Sequence, residues 1–142
     1  MTRIEEANKD VVRALVAAVN NRDIDAVLSL LSDDFQWFVA GRPDCFPLGG
    51  IYYKNQISEF LGKFLNTLKE YEHSIDHIFA EGDSVAQESH LEAEALDGRV
   101  YRNNFSITYR VRDGKILRLR EYCDFFEVLN YMNAKRPNID SK

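Results

Sequence analysis

The sequence has little cysteine, two residues in 142, and Cys45 and Cys123 do not form the C-x-x-C pair of a zinc site or dithiol centre. Two thiols so far apart in sequence are weak grounds for a disulfide, and both are read as reduced. Positive charge is also short. Eighteen Lys and Arg against 23 Asp and Glu give a net charge of -5 and a pI near 5.2. The field of such a protein repels phosphate backbones and anionic lipid, so neither nucleic acid nor a membrane surface is expected as a partner. No apolar run approaches the ~20 residues of a membrane span. The N-terminal "MTRIEEANKDVV" carries charges where a secretory leader needs apolar residues, and a cytoplasmic location is expected. A P-loop, a Rossmann glycine fingerprint, a nucleophile elbow and a zinc signature are all missing. His73 and His77 have the i, i+4 spacing of a metal pair on a helix, but in a strand they stand roughly 13 Å apart and cannot share an ion. No metal and no cofactor are expected.

What is present is an ordinary globular composition, 45% hydrophobic and 29% charged, in a chain long enough for one domain with a real core. Thr2 with Glu5 makes a capping box, and Ile4, Ala7, Val11, Leu15, Ala18 and Val19 repeat at helical spacing, which predicts a helix over 3–20. Asp23 caps a shorter second helix with Val27, Leu30 and Leu31 on its apolar side. "FQWFV", 35–39, is a strand, and "AGRPDCFPLGG" is a loop. A third helix begins near Asn55, with Ile57, Phe60, Leu61, Phe64, Leu65 and Leu68 on one stripe. From about Tyr71 the period changes to that of strands, with further strands near 84–96, 100–112 and 115–124. They are separated by Asp97-Gly98 and Asp113-Gly114, both strong hairpin signals. One or two helical turns, Phe125 to Met132, close a single domain over 1–133, and 134–142 reads as a frayed tail. Three N-terminal helices on a curved antiparallel sheet make an α+β fold with an internal pocket between the layers.

If each Asp-Gly is a two-residue turn, cross-strand partners can be counted outward from it. Tyr109 then meets Arg118, Ile107 meets Arg120, Phe105 meets Tyr122 and Asn103 meets Asp124. On the same face Glu92 falls opposite Asn103, and His90 opposite Phe105. The large aromatics direct this face toward the helices, which would partly desolvate its carboxylates and its histidine. Asp124 is therefore a candidate general acid or base with His90 or Glu92 as counterpart, and Asn103, Arg120 and Tyr122 are candidates for holding substrate. Trp37, Phe60, Phe64 and Phe105 are candidates for the pocket wall. Plainer roles compete with each. Asp124 equally suits the N-cap of the last helix, His90 a glutamate-satisfied imidazole, and one bulge in strand 84–96 would turn Glu88, His90, Glu92 and Glu94 to solvent.

The segments "NNRDIDAVLSLLSDDFQWFVAGR", "PLGG", "AEGDSVAQE", "DGRVYRNNFSITYRVRDGKI" and "REYCDFF" together resemble the NTF2-like superfamily, specifically the SnoaL-like branch of ketosteroid-isomerase-related proteins, over about residues 4–132. The resemblance implies a cystatin-like cone, with a curved sheet wrapped by three helices around a deep apolar pocket, and commonly a homodimer packed through the outer face of the sheet. In SnoaL-like polyketide cyclases an aspartate near the end of the last strand is the acid/base, a place matched by Asp124 in "EYCD". Trp37 and Tyr122 match positions that often line the pocket. Ketosteroid isomerases carry their base in an Asp-Pro motif after the first strand, where this chain reads "FVAG". Limonene-epoxide hydrolases use an Asp-Arg-Asp trio, of which Arg120 and Asp124 are matched and Glu92 would have to stand for the second aspartate. The expected protein holds a small hydrophobic molecule, either as an isomerase, cyclase or hydrolase doing cofactor-free acid–base chemistry or as a non-catalytic binding or dimerisation module.

Overall fold

The chain opens with a closed pair of hydrogen bonds. Thr2 Oγ1 accepts from Glu5 N at 3.1 Å, and Glu5 Oε1 accepts from Thr2 N at 2.9 Å. They start helix α1 (Arg3–Asn20), whose buried Val12, Leu15 and Ala18 lie on one stripe. The computed structural model describes residues 2–132; the tail at 134–142 lies outside them. Asp23 Oδ1 accepts from Ala26 N at 3.1 Å and caps α2 (Ile24–Ser29). There follow β1 (Leu31–Val39), β2 (Gly50–Tyr53), α3 (Lys54–Asn66), β3 (Leu68–Glu81), β4 (Ser84–Ala95), β5 (Val100–Arg112), β6 (Lys115–Cys123) and α4 (Phe125–Tyr131).

The protein is α+β, with a curved six-stranded sheet in the order β2-β1-β6-β5-β4-β3. The sheet is mixed rather than wholly antiparallel, because β1 runs parallel to β6. The short strand β2, which sequence reasoning left unassigned, pairs with β1 from Gln36↔Tyr53 to Val39↔Gly50. Among the described residues no helix is long and apolar enough to cross a membrane.

Two departures from the expected register decide the inner face. Asp113 and Gly114 both have positive φ, 52° and 75°, and form the anticipated two-residue turn, so Arg112 faces Lys115 and Val111 faces Ile116. Beyond it Leu117 is an extra residue, and Arg110 pairs with Arg118 and Tyr109 with Leu119. This bulge turns Arg118, Arg120 and Tyr122 outward and brings Leu119, Glu121 and Cys123 inward. At the other hairpin Ala95 pairs with Arg99 across Leu96, Asp97 and Gly98, a three-residue loop whose glycine takes φ 93°. Ser89 therefore faces Phe105 and Leu91 faces Asn103. Gln87, Ser89, Leu91 and Ala93 are buried, whereas Glu88, His90, Glu92 and Glu94 stand on the opposite, outer face. A bulge between Ile75 and His77 on β3 leaves His73 inside and His77 exposed.

The inner face packs in two clusters. One joins Val12, Leu15, Val27 and Ile57 of the helices to Val85, Ile107, Tyr109, Val111 and Ile116. The other joins Val39, Phe46, Leu65, Leu91, Tyr101 and Val128. Burial of each such side chain contributes about 1.5 to 3 kcal/mol. Trp37, Tyr52, Leu61 and Phe105 touch both clusters, and the space between them is a cavity.

The corner from β6 into α4 is held by Asn103, which is 4% exposed. Its Nδ2 donates to Tyr101 Oη at 2.9 Å and to the Asp124 carbonyl at 3.1 Å, and its Oδ1 accepts from Asn104 N at 2.8 Å and Asp124 N at 3.1 Å. All the hydrogen-bonding capacity of the amide is used. Asn103→Ala is expected to cost about 2 to 4 kcal/mol by leaving buried backbone groups unpaired. Loss of the exposed cap in Asp124→Ala should cost only about 1 kcal/mol. Urea midpoints measured side by side check the order, and equal losses would contradict the clamp.

Candidate functional site

The cavity has a volume of about 510 Å³. Its walls come from every layer of the fold: Leu15 and Val19 of α1, Phe60, Leu61 and Phe64 of α3, Val128 of α4, and the inward side chains of β1 and β3 to β6. Trp37 packs against Tyr52 and Phe60, with ring centroids 5.3 and 5.5 Å apart, and Phe64 meets Tyr71 edge-on at 6.3 Å. Exposed Lys63, Thr67 and Met132 mark where the cavity meets solvent.

Few polar groups interrupt these walls, and the first is Glu121. It is on β6 opposite Ile107 and reaches the interior because of the Leu117 bulge. Its surroundings are Trp37, Val39, Leu119 and Cys123, so burial raises its carboxyl pKa from the ordinary 4.5 to about 7. The nearby Trp37 indole offsets part of that rise. The indole N–H itself is buried without a hydrogen-bond partner among the described residues. The tyrosines close to this carboxyl, Tyr71, Tyr101 and Tyr109, are held neutral chiefly by burial, to which its charge adds, and the Cys123 thiol is pushed up to about 12 by burial and then by that charge. None of these neighbours competes with Glu121 for a proton near neutrality.

The second polar group is a buried row that crosses β5, β4 and β3. Tyr109 Oη donates to Gln87 Oε1 at 2.8 Å, Gln87 Nε2 donates to Ser89 Oγ at 2.9 Å, and Ser89 Oγ lies 2.8 Å from His73 Nε2. Burial lowers the His73 pKa to about 4, and the nearby His90 adds to the shift. The imidazole is therefore neutral at pH 7.

The expected site residues divide between the two faces. Trp37, Phe60, Phe64 and Phe105 line the cavity. Asp124 does not: it is exposed, and its Oδ1 accepts from Phe126 N at 2.9 Å as the N-cap of α4. His90 and Glu92 are on the outer face, His90 Nδ1 2.9 Å from Asp76 Oδ2 and Glu92 Oε1 3.9 Å from Arg102 Nε. The three-residue loop at 96–98 put them there. Arg120 and Tyr122 are outside as well; the guanidinium stacks over Phe38 at 4.2 Å and donates to Tyr122 Oη at 3.1 Å. Asn103 is buried but spent on the backbone. Sequence reasoning passed over Glu121 and weighed His73 only as half of a metal pair, although Leu119, Glu121 and Cys123 alternate with Arg118, Arg120 and Tyr122. That pattern marks the first set as the better inner face.

The two shifted groups act oppositely on stability. The Glu121 pKa is higher in the folded chain, so its contribution is complete below 4.5 and is lost as pH rises through about 7. The His73 pKa is lower in the folded chain, so its contribution is complete above 6.5 and is lost as pH falls through about 4. Glu121→Gln removes only the first effect. From pH 4.5 to 8 it should gain on the order of 3 kcal/mol relative to the parent. Urea unfolding at both pH values checks this, and a difference that does not vary with pH would place the carboxyl outside the dry cavity.

The SnoaL-like domain family matches residues 12–119. Among solved structures the chain is similar to TerC co-crystallised with polyporic acid, at 24% identity and a TM-score of 0.77 over 90% of this chain and 99% of that one. It is similar to an NTF2-like protein of unknown function from Burkholderia pseudomallei, at 21% and 0.77 over 90% and 98%. It is similar also to an LEH-like epoxide hydrolase from M. tuberculosis, at 20% and 0.75 over 91% of each chain. No protein of curated function matches the sequence. Likeness at these identities is one of fold, and the match over most of the chain establishes that it belongs to the SnoaL-like domain family, with the NTF2-like architecture.

Proposed function

We propose that the cavity binds a small hydrophobic molecule and that Glu121 moves a proton on it. The observation that carries this is one carboxyl with a pKa of about 7 among apolar and aromatic walls. Near neutral pH such a group is present in both forms, which suits it to take a proton from one atom and return it to another. Isomerisation, cyclisation and epoxide opening all use that step. Solved relatives include an epoxide hydrolase and a protein crystallised with polyporic acid, so the fold accommodates such molecules. The competing reading is ligand binding without chemistry. It is favoured by the Glu121 carboxylate having no hydrogen-bonded ionisable partner among the described residues.

The outer face of the sheet supports a dimer in this proposal. Arg110, Arg118 and Arg120, with Phe38 and Tyr122, occupy its β6 side, and Glu72, Asp76, Glu88 and Glu92 its β3 side. A two-fold axis between them would set each basic side on the partner's acidic one. Both thiols are free, in keeping with a cytoplasmic location.

The probe for proton transfer is 1-indanone, whose α-hydrogens exchange with D2O at a rate followed by NMR. The parent protein should accelerate exchange, with the rate rising through pH ~7 as Glu121 ionises. Glu121→Gln should lose roughly 10²-fold or more of that acceleration, while Asp124→Asn keeps it. Equal rates in the parent and Glu121→Gln would remove the carboxyl from the chemistry. For the dimer, sedimentation should show a shift to monomer in Arg120→Glu, and a parent that sediments as a monomer would refute the pairing.

A further inference from the structure

The polar row across the cavity floor has a direction, and the direction follows from counting its hydrogens. Tyr109 is 4% exposed and its hydroxyl has one hydrogen, given to Gln87 Oε1. That fixes the amide with its nitrogen toward Ser89, which accepts from it. Ser89 is 3% exposed, and its own hydrogen has one acceptor among the described residues, His73 Nε2. With the amide turned over, every bond in the row would reverse and the phenol hydrogen would be left buried without an acceptor, which costs about as much as a lost hydrogen bond. The forward row gives both of its hydroxyl hydrogens, those of Tyr109 and Ser89, an acceptor.

A neutral imidazole that accepts at Nε2 carries its proton on Nδ1. The ring cannot easily turn away. Asn20 holds the His73 backbone on both sides, donating to its carbonyl at 2.9 Å and accepting from its N–H at 2.8 Å, and the ring packs on Phe105 with centroids 5.0 Å apart. Nδ1 has no partner among the described residues, and it is not one of the sealed, unpartnered atoms, which are Trp37 Nε1 and Tyr131 Oη. His73 lines the cavity.

The geometry points to the His73 Nδ1–H as a hydrogen-bond donor for the ligand, so the cavity selects an apolar molecule that carries an acceptor oxygen, a ketone or similar carbonyl, over its hydrocarbon counterpart. The inference rests on the binding half of the proposed function and adds the ligand class to it. In a reaction, Glu121 as carboxylate removes the α-hydrogen as a proton. The C–H electron pair becomes the enolate C=C and the carbonyl π pair moves to oxygen, where the Nδ1–H bond strengthens. The carboxyl then returns its proton to carbon, and no oxidant or reductant is needed. His73 donates to the oxygen throughout and stays a neutral imidazole.

Two measurements test this. The first is the tautomer of His73 in the unmodified protein, read from long-range proton–nitrogen correlations at pH 7; it requires no substitution. Protonated Nδ1 with acceptor-type Nε2, and movement of the Nδ1–H resonance when 1-indanone is added, is the expected result. A proton on Nε2 would show that the row runs the other way and overturn the inference. The second is the ratio of affinities for 1-indanone and indane, which are nearly equal in size. The parent should prefer the ketone by about five- to tenfold, and His73→Phe, which keeps a ring against Phe105, should abolish the preference while binding indane as before. Equal affinity of the parent for the two compounds, or an unchanged preference in His73→Phe, would overturn the inference. A parent that prefers the ketone but does not accelerate its exchange would leave the recognition standing and remove the proton transfer, so a failure of proton transfer and a failure of carbonyl recognition are told apart.

Discussion

An arginine on the inner face of this sheet would lie among Val85, Val111, Ile107 and the stripe of α1 with no carboxylate to meet it. The cost of removing a guanidinium from water without a partner exceeds what a regular ladder returns. The chain avoids it by spending one residue, Leu117, on a bulge that disrupts the ladder locally and exchanges the faces of everything after it in β6. Leu119 enters the core, Arg118 and Arg120 leave it, and Glu121 is carried inward by the same shift. The carboxyl in the cavity is thus a consequence of keeping the arginines out. Its raised pKa is the residual cost at the one position where alternation sends a charge to the wrong side.

The same constraint shapes the other wall. In β4, Val85, Leu91, Ala93 and Ala95 alternate with Glu88, His90, Glu92 and Glu94, and only a three-residue loop between β4 and β5 sends the acidic set to water. Gln87 and Ser89 come inward with the apolar set. Because they are buried they must be bonded, and they are bonded to each other, to Tyr109 and to His73. A polar row on an otherwise oily floor therefore has its origin in the register.

Closure of the cavity depends on the corner after β6. Asn103 grips both backbone groups of Asp124, Asp124 caps α4, and at the far end Arg99 donates to the Tyr131 carbonyl at 2.6 Å and stacks on that ring at 4.6 Å. Held at both ends, α4 lays Val128 and Tyr131 along the cavity wall. Asp124, the strongest candidate from sequence, thus contributes to the site indirectly, by fixing the start of this helix.

Almost every element was legible in the residues themselves. The capping box at Thr2, the cap at Asp23, the stripe of α3 and the two Asp-Gly turns are local signals, and local backbone physics determines what they do. The aromatics at 37, 60, 64 and 105 line the cavity as their sequence pattern led one to expect. Which ionisable residues share that interior depends on parity along each strand, and parity changes with a single inserted residue. Whether a Gly-containing loop has two residues or three, and whether Leu117 bulges, is decided by contacts tens of residues away: the helices that bury Ile116 and Val111, the carbonyl of Leu30 that accepts from Ile116 N, and the parallel neighbour β1. The sequence by itself determined the helices, the strands and the family resemblance because those rest on neighbours in the chain. Only the tertiary structure placed Glu121 and His73 on the cavity wall and Asp124 and His90 outside it, because a one-residue slip costs little locally and is settled by which face the core can bury.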